Sequence, residues 1–515
     1  MVAGPVTAMP GRGPPSWKFT SPTDTATQGL VVSGFTHLQT ARALFLRFDW
    51  PAGQAGAGAW LADLETIAPV TDADGREQQA AMLALTYTGL ERMGLDGTAL
   101  ASFSRPFREG MFQEDRSRRL GDRRQDQWLE SVVPGGPAWS ANTPQDAGTA
   151  VVTPVTVHAL LVLYDPDDAS GEGRASAVEA MLAKRQVSVV HSLPLVLDPN
   201  QLGVSSEHFG FADGLSQPQP YDDHAVVVNG NPAPKDAVNS VPLGEFLIGH
   251  LNGHHENAPG PFTPQGPAAD ASLSPHPLAE GFRDLGLNGS YMVVRELRQD
   301  VAAFWTSMAG SAAKLRAEDP AHDPKLTADW MAERVIGRNV KGNLLTPGGY
   351  LSPTATGEPD SDFLFLDRDP HGAGCPAGAH VRRANPRDSL APTKAMAQTL
   401  LDAANNHRIL RRGRKYGPKI ADPTVDDGVD RGLLFMALNT DIARQFEFVQ
   451  QTWLLNSNFN TLFDETDPLV GPAGNLTLRD TPLRRIATVD TFVRLAGGDY
   501  FFLPSMPALR YLATL

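Results

Sequence analysis

The stretch Glu207-His208-Phe209-Gly210-Phe211-Ala212-Asp213-Gly214 governs how the rest of the chain is read. One carboxylate, Asp213, stands there among apolar and aromatic residues, bracketed by Gly210 and Gly214. Glycine lets a backbone turn tightly and approach another group closely. An acid held beside aromatic rings is costly unless something pairs with it or uses it. Alone, the segment also fits a surface turn, because Asp-Gly is a common turn dipeptide. Two later segments weigh against that. One is Gly374-Cys375-Pro376-Ala377-Gly378-Ala379-His380-Val381-Arg382-Arg383-Ala384-Asn385-Pro386-Arg387. The other is His407-Arg408-Ile409-Leu410-Arg411-Arg412-Gly413.

Around these segments the chain alternates strand and helix signals. Ala43 to Phe48 is short and apolar, which predicts a strand, and Gln78 to Met93 carries Met82, Leu83, Leu85 and Leu90, which predicts a helix. Val155 to Tyr164 predicts a buried strand, Ala175 to Arg185 a helix with Val178, Met181 and Leu182 on one face, and Val187 to Leu197 another strand. In the second half, Tyr291 to Arg295 predicts a strand and Asp300 to Ala317 a helix. Leu433 to Leu438 predicts a strand capped at Asn439, with a helix running through Trp453. Thr491 to Leu495 and Tyr500 to Leu503 predict two more strands, with a short helix from Ser505. From Val226 to Ala279 the composition shifts to Pro, Gly, Asn and His around a short apolar piece, Phe246-Leu247-Ile248, which predicts a long irregular connection. The alternation is that of an α+β protein.

Composition narrows the function. The 515 residues suffice for a large core and more than one domain. A net charge of -14 argues against a nucleic-acid surface, which needs clustered Lys and Arg. The run Arg411-Arg412-Gly413-Arg414-Lys415 is dense enough to face an anionic cofactor edge or solvent. The single cysteine, Cys375, excludes a disulfide framework and a cysteine-only metal site within one chain. His254-His255 has no third ligand at convincing spacing. No apolar run reaches the roughly 18 residues of a membrane helix, and Met1 to Trp17 shows neither an apolar leader core nor a twin-arginine signal. The expected location is therefore the cytoplasm, with no membrane or nucleic-acid partner.

Together the three segments resemble the dye-decolourising peroxidase family of haem enzymes, at the length of its larger subgroups. That family shows a Gly-x-x-Asp-Gly motif, a histidine in an Ala-His-x-Arg context and an arginine in an Ile-Leu-Arg context. Here these are Gly210 to Gly214, Ala379-His380-Val381-Arg382 and Ile409-Leu410-Arg411, in the same order. Further likeness runs from Thr27-Gln28-Gly29-Leu30-Val31 through Gly289-Ser290-Tyr291, Gly432-Leu433-Leu434-Phe435 and Gln445-Phe446-Glu447 to Tyr500-Phe501-Phe502-Leu503-Pro504.

The resemblance implies an α+β fold of two ferredoxin-like modules with antiparallel sheets, and haem in the C-terminal module. It divides the chain into a flexible leader (1–26), an N-terminal module (27–225), a connecting loop (226–280) and a C-terminal haem-binding module (281–515). It implies one haem b per chain with His380 as iron ligand; His208 and His407 are rivals that miss the motif position. A carboxylate, Asp467 or alternatively Asp464, would accept the other ring N–H of that histidine. Asp213 would shuttle a proton during peroxide cleavage. Arg411 would stabilise charge there, with Arg408 and Arg412 as rivals. Leu433 and Phe435 would flank the peroxide side, and Arg387 would pair with a haem propionate.

The implied reaction reduces H2O2 and oxidises phenolic or aromatic dye-type donors by way of a ferryl intermediate, in a chain expected to form a homodimer. Bulky donors would pass electrons through surface Trp or Tyr; Trp305 and Trp453 lie on predicted helices and read instead as core anchors. The alternative function is a haem-binding or iron-releasing protein with little peroxidase turnover. A third possibility is a haem-free α+β protein in which Asp-Gly is only a turn.

Overall fold

The computed structural model describes residues 17–75, 78–141, 154–200, 203–233, 235–319, 321, 323–479 and 484–515. Its frame is a ring of eight strands. They are β1 (Thr40–Phe48), β2 (Ala80–Leu85), β3 (Ala159–Asp165), β4 (Val187–Val196), β5 (Ser290–Gln299), β6 (Arg414–Tyr416), β7 (Gly432–Asn439) and β8 (Val493–Leu503). Each half contributes four. Across the N-terminal half the order is β2-β3-β1-β4, and across the C-terminal half β6-β7-β5-β8. In both halves the chain therefore lays its second, third, first and fourth strands side by side. All the ring pairings are antiparallel.

Two short seams close the ring: Lys415 and Tyr416 against Val196 and Leu195, and Phe502 against Leu85. Closure removes free sheet edges, which otherwise invite pairing with other chains. Alternation of side chains then sorts the core into two layers. Phe45, Met82, Leu160, Val162, Met292, Val294, Met436 and Phe501 fill one cluster drawn from strands all round the ring. Leu44, Leu46, Leu83, Leu161, Leu163, Val293 and Phe502 pack on the other face. Helices Ala59–Ile67 and Asp168–Lys184 lie over that face in the N-terminal half. Val301–Glu318, capped by the Asp300 side chain, follows β5 and packs on Ala328–Ile336.

Several sequence expectations need correction. Ala80–Leu85 is a strand, and helix begins only at Tyr87, where the Thr86 hydroxyl accepts the Gly89 N–H. Every residue of that strand is buried, so its apolar run has no face to show, and such short runs do not separate strand from helix. Thr491 to Leu503 contains one strand instead of two, because Gly497 and Gly498 continue it. Trp139 lies so close to Gly497 that a Cβ there would sit 2.2 Å from the indole nitrogen, so glycine makes room for the ring. Asn439 ends β7 and caps no helix. The following segments Ala443–Glu447 and Val449–Leu454 wind as π-helix.

The connection after Val226 is less irregular than its composition. Val226–Val228 pairs with Trp17–Phe19, Ser240–Pro242 with Gln219–Tyr221, and Phe262–Pro264 with Phe282–Asp284, while Phe246, Leu247 and Ile248 are buried. The first of these pairings also shortens the expected leader. Phe19 is buried in the core, too brief an apolar signal to stand out amid Pro and Gly. Residues 1–16 lie outside the described residues.

Candidate active site

The segment from Glu207 to Gly214 is a loop tied to itself. The Glu207 carboxylate accepts the backbone N–H groups of Phe209 and Phe211 at 2.7 and 2.8 Å. Asp213 N–H bonds the Ser205 carbonyl, and Ala212 N–H bonds that of Val340. Gly210 and Gly214 have φ of 101° and 75°, left-handed values that favour glycine. The turn aims Asp213 into a cavity of about 300 Å³.

Arg411 meets Asp213 there. Two strand residues, Leu410–Arg411, pair with Leu438 and Ala437 of β7 and carry the arginine to the cavity wall. Gln217 holds the Arg411 backbone on both sides, with its amide oxygen taking the Arg411 N–H and its amide nitrogen donating to the Arg411 carbonyl. Arg411 Nη2 donates to the Leu215 carbonyl at 2.6 Å, and Nη1 stands 3.6 Å from Asp213 Oδ1. The two side chains remain about a third exposed (36% and 35%). Both therefore remain reachable by a small molecule.

His380 opens the five-residue helix His380–Ala384. The Asp369 carboxylate gathers the N–H groups of Ala373, Gly374 and Cys375, which shapes the preceding loop. Arg383 then ties the helix to the carbonyls of Trp453, Leu454 and Glu465. His380 Nδ1 lies 3.0 Å from Asp467 Oδ2, and Asp467 Oδ1 accepts the N–H groups of Leu469 and Val470. Burial works to raise the Asp467 carboxyl. The His380 charge and hydrogen bond, the Val470 N–H and the Arg383 charge outweigh it and hold the group below its ordinary value. Asp467, not Asp464, stands at the histidine; Asp464 is exposed at a left-handed φ of 58°.

Leu433 and Phe435 are the half-buried alternate residues of β7, and both line the cavity with Ile409, Phe446 and Val493. Arg387 lines it as well, at a left-handed φ of 51°. Its guanidinium lies 4.0 Å over the Phe363 ring and donates to the Phe363 and Ser361 carbonyls. Arg338 and Arg408 join it around Ser216: Arg338 donates to the Ser216 hydroxyl and Arg408 to the Ser216 carbonyl. Among the described residues none of these three is bonded to a carboxylate. Burial, then repulsion by Arg408 and Arg338, lowers Arg387 to about 9, and burial, then repulsion by Arg411, lowers Arg408 to about 10. Buried unpaired cations are expensive, so this end of the cavity is suited to an anionic group.

All seven residues singled out in the sequence thus gather at one cavity, six in its wall and Asp467 behind His380. The rivals go elsewhere or have other work. His208 bonds the Tyr416 carbonyl away from the cavity, while His407 lines it with its ring stacked 3.8 Å from that of Phe448. Arg412 donates to the carbonyls of Leu30 and Val31, and Arg414 to those of Leu38 and Phe35. The basic run therefore faces neither a cofactor edge nor solvent as a whole; only Arg411 reaches the cavity. Trp453 is buried, whereas Trp305 is half-buried with its ring parallel to that of Phe211. Sequence reading missed Glu207, Gln299 and Arg338 as cavity residues. Glu207 was in plain view in the opening motif, but nothing local says that its side chain turns inward.

An apolar slot with one histidine held by a carboxylate, buried guanidiniums at one end and an acid–arginine pair in its wall fits a flat, dicarboxylic haem. No protein-family model matches the chain. Among curated proteins, it is 29% identical over 389 residues to a multifunctional dye peroxidase of Amycolatopsis sp., covering 69% of this chain and 71% of that one. It is 26% identical over 496 residues to a dye-decolorizing peroxidase of Mycena epipterygia, covering 87% and 79%. A solved DyP-type peroxidase from Anabaena sp. matches with a TM-score of 0.68 at 21% identity, over 95% of this chain and 94% of that one. A decolorizing peroxidase from Auricularia auricula-judae gives 0.67 at 21%, over 96% and 100%. The structural likenesses speak for the fold alone. Over most of its length the chain is thus similar in sequence to curated dye-decolourising peroxidases, and it shares the fold of solved DyP-type peroxidases.

Proposed function

We propose that the protein is a haem b peroxidase that reduces H2O2 and oxidises phenolic or aromatic dye-type donors. The observation that carries this is the pairing of two polar stations at one apolar cavity: His380 with Asp467, and Asp213 with Arg411. His380 would hold the iron through Nε2, since Nδ1 is taken by Asp467. Arg387, with Arg338 and Arg408 beside it, would receive the propionates. When bound, haem supplies the redox chemistry.

The chain's own residues do the rest. Asp213 would take the proton from one peroxide oxygen and return it to the other as the O–O bond breaks, as base and then acid. Arg411, 3.6 Å from Asp213, offsets negative charge on the separating oxygen. Leu433, Phe435 and Ile409 give this part of the cavity an apolar wall.

The strand order shared by the two halves, with helices after the first and third strands, supports two ferredoxin-like modules, with haem against the C-terminal one. Among the described residues no helix is long and apolar enough to cross a membrane. The test is rapid-mixing absorbance of the haem-loaded protein with one equivalent of H2O2. A fast change in the haem band, followed by donor-dependent return, supports the proposal. A stable band without response to peroxide would turn it to haem binding or iron release.

A further inference from the structure

Glu207 lies six residues before Asp213 and lines the same cavity, yet the proposed peroxide chemistry leaves it unused. Besides the Phe209 and Phe211 N–H groups it accepts a hydrogen bond from Gln299 Nε2 at 2.7 Å. Gln299 ends β5 and is itself buried, and its amide oxygen Oε1 is buried with no hydrogen-bond partner. An unpaired buried acceptor carries a penalty.

A half-turn of the amide exchanges Oε1 and Nε2. The oxygen then faces Glu207, where it gains a partner only if Glu207 carries a proton. The pair thus has two arrangements. Ionised Glu207 accepts from Nε2; protonated Glu207 donates to Oε1.

The charges around it permit both. Arg295, on β5, is spent on Asp122 at 2.6 Å. Lys415 is engaged by Asp198 and by the Ser206 carbonyl. Arg411 faces Asp213, and His380 faces Asp467. Among the described residues no cation is bonded to Glu207. Burial, helped by the negative charge of Asp213, pushes the group up to about 7 against the pull of its three donors, so both forms are reachable near neutrality.

We propose that Glu207 and Gln299 form a proton-holding pair behind Asp213, with the Gln299 amide turning over to match the state of Glu207. The proposal deepens the peroxidase reading of this cavity and rests on it for the use made of the proton. A proton passed on from the Asp213 carboxyl breaks one O–H bond there and forms one at Glu207. No electrons change hands. The reverse transfer returns the proton to Asp213, which then delivers it to the departing oxygen.

Infrared difference spectroscopy of the haem-loaded protein over a pH titration, following the C=O stretch of protonated carboxyl groups, tests this. Wild type is expected to lose one such band near pH 7. Glu207→Gln should lack it, and Asp213→Asn should move its midpoint to lower pH, because a neighbouring negative charge has gone. No titrating band near neutrality, or a band that survives in Glu207→Gln, would overturn the proposal. Should Glu207→Gln fail to fold, Asp213→Asn decides alone, an unmoved midpoint overturning the pair. The same samples mixed with peroxide separate the two readings. A titrating band in a protein inert to peroxide retires the peroxidase and keeps the pair; a peroxide-responsive protein without the band does the reverse.

Discussion

His380 and Asp467 are 87 residues apart in the chain, and their side chains meet at 3.0 Å. The carboxylate is fully buried, while 27% of the histidine side chain stays exposed toward the cavity. One group is therefore locked and the other presented. The backbone N–H groups of Leu469 and Val470 fix Asp467 Oδ1 and leave Oδ2 for the imidazole.

Asp467→Asn removes the charge that orients and enriches the imidazole. We expect haem affinity or peroxide turnover to fall about 10–100-fold. The reduction potential of the haem-loaded protein should rise, as potentiometric titration would read. The depressed Asp467 carboxyl also stabilises the fold. Its contribution is present above the unfolded value of about 4 and is lost as pH falls through the lower folded value. Acid unfolding of Asp467→Asn should lack that part of the wild-type pH dependence.

Asp213→Asn keeps the size of the side chain and removes the base. The peroxide-dependent change in the haem band should slow by about 10²–10⁴-fold while the resting band is retained. An unchanged rate in rapid mixing would remove Asp213 from the proton path. Arg411→Leu should slow the same step and leave haem bound.

Glu207 predicts the opposite pH trend to Asp467. Its folded value of about 7 lies above the ordinary 4.5, so the unfolded chain releases this proton first. The folded protein therefore loses stability as pH rises from about 4.5 to about 7, by roughly 3 kcal/mol in all. Glu207→Gln cannot titrate. Relative to wild type it should gain about that much between pH 5 and pH 8, measured by chemical denaturation at the two values.

Arg116 bonds Glu447 at 2.6 Å with both side chains buried, and Tyr500 donates to the same carboxylate. The pair joins the helix Glu114–Arg119 to the π-helical segment Ala443–Glu447. Arg116→Ala would leave Glu447 buried without its cation. A loss of about 3–5 kcal/mol is expected in denaturant unfolding.

By itself, the sequence determined which residue types carry the chemistry and the order in which they come. Asp213 between glycines, His380 before Arg382, and Arg411 after Ile409-Leu410 could all be named without coordinates, because each sits in a local pattern. Most long strands and helices were legible too, since burial of one face leaves a period in the chain. Only the tertiary structure decided the rest. Ala80–Leu85 is buried on both faces and so has no period to read. The two halves close into one ring at seams of one and two residue pairs, too short to leave a signature. Asp467 prevailed over Asp464, and Glu207 turned out to face the cavity, because each side chain's direction depends on a partner about ninety residues away, His380 for Asp467 and Gln299 for Glu207. Arg412 and Arg414 showed the same thing in reverse. They sit beside Arg411 in the chain, yet they are spent on the carbonyls of Leu30, Val31 and Leu38, which local sequence has no means of announcing.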